Sequence, residues 1–258
     1  MNFETFGDAI QWRRIQRKKL AAGNKSQRLA ARTLKKCRRG HRCGTETCRV
    51  CLREFRINWT GEAVKIVLQR PNWTRCSIIP AGLLVPPGQL STFDLPAQIK
   101  RFRKRIARSA LKGRAVLGGL DVSLNLENNA LVGWQFHLYM LVEGENDAAL
   151  QQQVKSAFPP EQTALQPYDF SDIDDPVEVA TYAYKSLFSR RSGFVGKDGN
   201  HRTKIQPLKD AELRELLQFL SKHKVGARLI LAGVRRHGQR LTFTVSKSSP
   251  APSVDRRR

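Results

Sequence analysis

The chain has 258 residues, with 46 Lys and Arg against 22 Asp and Glu, and a formal net charge of +24. With 40% hydrophobic residues it buries a real core, while self-repulsion of that size calls for a polyanionic partner. A membrane span needs about 20 consecutive apolar residues, which the sequence nowhere offers. The opening "MNFETFGDAIQWRRIQRKK" lacks the apolar core of a signal peptide, so the expected setting is the cytoplasm, with no membrane partner.

In chain order, residues 1–36 read as a basic helical arm, with Ile10, Ile15, Leu20 and Leu29 in an irregular register that suits an arm ordering on its partner. Residues 37–60 form a zinc-binding module. The stretch "CRRGHRCGTETCRVC" spaces Cys37, Cys43, Cys48 and Cys51 as a tetrahedral thiolate set, with His41 as an alternative ligand. Two disulfides would need an oxidising compartment that nothing else supports. Four protein ligands leave no open position, so the zinc is expected to be structural. Cys76 stands alone and reads as a small buried hydrophobe.

Residues 61–245 read as one α+β domain. A short helix over 61–70 leads to an apolar strand over 75–86. Asp94 is placed to cap a basic amphipathic helix with Ile99, Phe102 and Ile106 on one face. Residues 114–126 and 130–143 flank "ENN" and predict a long antiparallel hairpin. A helix follows behind Asn146 or Asp147, with Leu150, Val154 and Phe158 at helical spacing. Residues 162–172 predict a strand, 175–188 a helix with Pro176 in its first turn, and 190–204 a Gly- and base-rich loop. Residues 210–223 predict an amphipathic helix, and 227–234 with 240–245 a closing hairpin. Residues 246–258 have the composition of a disordered basic tail. The expected architecture is a central antiparallel sheet with helices on one face.

Charge is unevenly spread. Residues 1–60 hold 16 Lys and Arg against 4 acids, and residues 98–114 hold eight bases and no acid. Residues 121–178 hold eleven acids and a single base, Lys155. The basic segments point to nucleic acid, and the acidic middle suits a cation placed against a phosphodiester.

Two constellations give that chemistry residues. On the strand "GWQFHLYMLVEG", Gln135, His137 and Tyr139 share one face, while Trp134, Phe136, Leu138 and Met140 share the other. A lone strand histidine is by default a satisfied core residue. A polar row facing Asp121, Ser123 and Asn125 on the partner strand argues instead for a site. Farther on, Glu178, Tyr182 and Lys185 are spaced i, i+4, i+7 on one helical face, with Tyr184 pointing elsewhere. A phenol beside an ammonium is a candidate oxygen nucleophile for phosphoryl transfer, with Lys185 steadying charge and Glu178 accepting a proton.

The cysteine cluster, the apolar strand, the basic helix, "GLDVSLN", "WQFHLYMLVEG" and "EVATYAYK", arriving in that order, resemble the rolling-circle plasmid replication initiators of the HUH endonuclease class. The resemblance covers roughly residues 37–190. It implies an RRM-like nuclease fold and a strand that supplies two metal-binding histidines. The first falls on His137 and the second on Tyr139, with Gln135 where many members have a further histidine. It also implies a Tyr-x-x-Lys nucleophile motif on Tyr182 and Lys185. The implied activity is nicking of origin DNA with Mg²⁺ or Mn²⁺, leaving a 5′-phosphotyrosyl link. The implied partners are duplex and single-stranded origin DNA and host helicase and polymerase. Tyr139 departs from the pattern, because a neutral phenol is a poor ligand for a hard cation. Three consequences stand open: Asp121 or another acid completes the site, metal binding is weakened, or the chain binds DNA without cutting it, as an origin binder or repressor. A small transposase of the same class is a further alternative.

Overall fold

Helix signals at the start of the chain set its first layer. The computed structural model describes residues 3–127, 130–164, 166–195 and 201–244. Thr5 with Asp8, and Asn24 with Gln27, form reciprocal capping boxes that start α1 (Phe6–Ala21) and α2 (Lys25–Lys36). These are not a free arm. Leu20, Ala30 and Leu34 are buried in one cluster with Cys37, Cys48 and Leu217. Gln27 donates to Gln218 at 2.9 Å, and Lys19 pairs with Asp210 at 2.5 Å.

The next helix, α3 (Arg49–Leu68), begins inside the cysteine loop with Cys48 as its N-cap residue, and so runs unbroken across the expected boundary at residue 60. The expected strand over 75–86 divides into β1 (Trp73–Ile78) and the two-residue β2 (Leu84–Val85). Asp94 accepts from the Ala97 N–H and starts α4 (Leu95–Arg108), whose Ile99, Phe102 and Ile106 are buried. The long hairpin is β3 (Val116–Glu127) and β4 (Ala130–Glu143), its turn residues 128–129 lying outside the described residues. Asp147 caps α5 (Ala148–Ala157), and β5 (Tyr168–Asp172) follows. Asp175 caps α6 (Pro176–Tyr182), which stops three residues before Lys185.

The stretch expected to be a loop contributes two strands, β6 (Arg190–Val195) and β7 (His201–Gln206). After α7 (Asp210–Ser221), the expected closing hairpin splits. β8 (Leu229–Ala232) pairs with β3, while β9 (Val234–His237) and β10 (Arg240–Phe243) pair with each other. The predicted tail, residues 246–258, lies outside the described residues.

The main sheet runs β5-β1-β4-β3-β6-β7, with β2 added to β4 and β8 to β3. It is mixed, since β6 lies parallel to β3. β8 occupies the edge of β3 at residues 116–119 and β6 occupies it at 124–126, so the sheet forks there. Helices cover both faces, not one. α4, α5 and α7 pack on the face formed by Leu120, Val122, Trp134, Phe136, Leu138 and Met140. α3 and α6 pack on the opposite face, over Leu117, Tyr139 and Leu141 of the hairpin with Trp73 of β1 and Leu229 of β8. The alternation within β4 explains this: its even positions are all apolar, whereas its odd positions turn polar from 139 back to 135. Among the described residues, no helix is long and apolar enough to cross a membrane.

Candidate functional site

The four cysteines converge. Cys37 Sγ lies 3.6 Å from both Cys48 and Cys51 Sγ, Cys43 Sγ lies 3.7 Å from Cys51, and all four sulfurs fall within 4.8 Å of one another. Tetrahedral zinc with Zn–S bonds of about 2.3 Å requires sulfurs ~3.8 Å apart, so the donor set fits a structural metal such as zinc. None is in a disulfide. Hydrogen bonds from Cys48 and Cys51 hold the Cys43 thiol far below its ordinary value, while the bond to Cys43 pushes Cys51 up to about 12. One thiolate opposes the next, an opposition that a dication offsets. His41 is exposed and stands outside the cluster, pairing through its backbone with Arg38.

The second constellation lies on the partly covered sheet face. Asp121 sits directly opposite His137, and Ser123 opposite Gln135. Ser123 Oγ is 2.9 Å from His137 Nε2. Burial holds the His137 imidazolium down to about 4, with Arg191 and Lys185 adding repulsion and Asp121 opposing them, so the ring is neutral at pH 7.

α6 meets this row at its C-terminal end. The helix stops at Tyr182, and the turn through Ala183 and Tyr184 carries Lys185 inward, where its Nζ lies 2.5 Å from Asp121 Oδ2. Lys185 therefore reaches the site from the turn and not, as its i+7 spacing suggests, from the helix. Gly119 makes the approach feasible, because a Cβ there would stand 2.3 Å from the Ala183 carbonyl oxygen. The Lys185 ammonium also lies 5.1 Å from the centre of the Tyr182 ring. That ring packs on Tyr139, with centroids 4.7 Å apart.

His137, Asp121, Tyr139, Tyr182 and Lys185 are thus brought together. Glu178 is exposed on the same helix and, among the described residues, makes no side-chain hydrogen bond or ion pair. The two tyrosines differ. Tyr139 is 6% exposed and burial raises its phenol, whereas Tyr182 is 41% exposed. Tyr139 is therefore the poorer metal ligand and nucleophile, and Tyr182 is the phenol open to solvent.

Arg75 and Arg191 complete the surroundings. Arg75 pairs with Asp169 at 2.6 Å and acts on the Tyr139 phenol, while Arg191 lies beside Asn125 in the register of β6. Arg75 Nε, Arg191 Nε and Asp121 Oδ1 are buried without hydrogen-bond partners. Sequence reasoning missed both arginines. Arg75 alternates with the buried Cys76 and Ile78, a signal that was present, whereas Arg191 sits in a stretch whose Gly and Lys content reads as loop.

Among the described residues, the four cysteines are the only group of three or more His, Cys, Asp or Glu side chains placed to share an ion. Asp121 and His137 have no third such ligand, and Asp121 already faces the Lys185 ammonium. Mg²⁺ usually keeps several waters and binds through one or two carboxylates together with substrate phosphates. Comparison with family models, curated proteins and solved structures finds no match for this chain.

Proposed function

We propose that the chain is a plasmid rolling-circle replication initiator that nicks one strand of origin DNA, with Tyr182 as the nucleophile. The observation that supports this best is the convergence of an exposed phenol, an ammonium and a neutral imidazole on one polar patch of the β3–β4 hairpin. The Tyr182 Oη forms a bond to phosphorus as the bond from phosphorus to the 3′-oxygen breaks. The phenolic proton passes to solvent, and the released 3′-oxygen takes one up. Lys185, Arg75 and Arg191 oppose the charge that gathers on the phosphoryl oxygens. The basic helices α1, α2 and α4 hold the flanking DNA through its phosphates. A divalent cation, when bound, would be held by Asp121 and His137 and would polarise the scissile phosphate beside these cationic side chains.

Incubating the zinc-loaded protein with labelled single-stranded origin DNA tests this, the expected product being an adduct that survives denaturation. Tyr182→Phe is expected to abolish the adduct with binding unchanged, and an adduct formed by that variant would overturn the assignment. The second reading, a DNA binder or repressor that does not cut, is favoured by the Asp121–Lys185 pair and by Tyr139 at a metal-histidine position. It predicts tight binding and no adduct under any metal condition.

A further inference from the structure

The segment that bears Tyr182 and Lys185 is suspended from residues belonging to, or following, the cysteine centre. Trp59 Nε1 donates to the Ala180 carbonyl at 3.0 Å, and Arg56 Nε donates to the Tyr184 carbonyl at 3.0 Å. Both side chains come from α3, the helix that Cys48 and Cys51 start.

The most direct connection runs through Glu46, which lies between Cys43 and Cys48 and whose side chain is fully buried. Glu46 accepts from the Tyr184 hydroxyl, from the Gly226 N–H at 3.0 Å and from Arg228 Nε at 3.3 Å. The Arg228 guanidinium stacks on the Tyr184 ring at 4.3 Å and spends its other two nitrogens on backbone carbonyls. One of these is Leu120 O at 3.1 Å, next to Asp121, and the other is Lys185 O at 3.1 Å. One side chain from the cysteine loop thus holds the arginine that fixes both backbones of the Asp121–Lys185 pair.

We propose that Glu46 and Arg228 are positioning residues, through which a metal held by the four cysteines sets the Lys185–Asp121 pair beneath Tyr182. Neither touches a substrate. Their consequence for nicking rests on the function proposed above, whereas the positioning itself does not. A planar guanidinium is needed because its three nitrogens reach three separated acceptors in one fixed plane, whereas an ammonium gathers its donors on a single atom. Loss of the metal frees the Cys43–Cys48 loop, and with it the anchor of that fork.

The test uses the zinc-loaded full chain, with Lys185 acetylation by an amine-acylating reagent read by peptide mass spectrometry. Arg228→Lys keeps a cation against Glu46 but abandons the two carbonyls. It is expected to retain the far-ultraviolet circular dichroism and zinc content of the parent, while Lys185 acylation rises about ten-fold, the effect of losing the charge-assisted hydrogen bond to the Lys185 carbonyl. Adduct formation is expected to slow by about as much, with oligonucleotide affinity unchanged. Removing zinc from the parent protein is expected to expose Lys185 similarly. If Arg228→Lys does not fold, Tyr184→Phe replaces it, since that variant loses only the hydroxyl, which donates to Glu46 and accepts from the Gly226 N–H. Unchanged Lys185 acylation in the folded variant and after zinc removal would overturn the proposal. If the parent forms no adduct at all, the nicking assignment fails and Lys185 acylation alone decides this one.

Discussion

The two faces of the β3–β4 hairpin share one backbone and obey opposite rules. On one face, Leu120, Val122, Phe136, Leu138 and Met140 lie in a closed apolar cluster beneath α4, α5 and α7. On the other, α3 and α6 cover only the end nearest Leu117 and Leu141, and the row continues into Tyr139, His137, Asp121 and Ser123. That row leaves Asp121 Oδ1, Arg75 Nε and Arg191 Nε buried without partners. An unmatched buried polar atom costs about 1–3 kcal/mol, so the second face is a poor way to build a core and a sensible way to build a site.

Substitutions on the two faces should therefore behave differently, and the largest effect belongs to the closed one. Phe136 is 1% exposed and stacks on Phe93 with centroids 3.9 Å apart. Phe136→Ala is expected to cost about 3–5 kcal/mol in urea unfolding. A cost under about 1 kcal/mol would mean that the two faces are not energetically distinct.

On the polar face, buried His137 brings a pH dependence instead. Its folded value, near 4, lies below the unfolded value of 6.5, so the unfolded chain binds the proton more readily. The stability linked to a neutral His137 is fully present above pH 6.5 and is lost as the pH falls toward 4, by about 3 kcal/mol in all. His223, also lowered by burial, acts in the same direction and remains in both proteins. The difference between parent and His137→Gln across that window is therefore the informative measurement, and equal pH profiles would refute the assignment.

The junction between the faces should be sensitive to a single methyl group. Gly119→Ala places a carbon against the Ala183 carbonyl and is expected to cost about 1–3 kcal/mol, with Lys185 more readily acylated. The smallest effect is expected on α4, which is basic and far from the chemistry. Neutralising Lys104 is expected to weaken DNA binding alike for all sequences and to lower the salt slope by about 1.

The sequence was most legible where a period ran uninterrupted. The 2-residue alternation of β4 and its pairing with β3 were readable, and with them the grouping of Asp121, Ser123 and His137. The 3.6-residue pattern and Asp94 cap of α4 were equally plain. Spacing also found the four cysteines. It failed where long-range contacts decide. Nothing local indicates that α6 ends at Tyr182, because its last turn is set by Arg56, Trp59 and Gly119. The Gly- and Lys-rich stretch forms β6 and β7 because the open edge of β3 accepts a parallel strand. Glu46 was visible only as an isolated acid among basic residues, and Arg228 gave no signal at all.

The fork in the sheet at β3 also bears on the order of assembly. The β3–β4 hairpin closes over a short stretch of chain, whereas β8 must return from the far end of the sequence to pair Ala232 with Val116. Contacts of such high sequence separation form late, since chain entropy is lost before they reward it. Arg228 immediately precedes β8, so the polar row is laid down early and its clasp arrives with one of the last strands. The Arg228 fork is therefore expected to close only after the hairpin it clasps has formed.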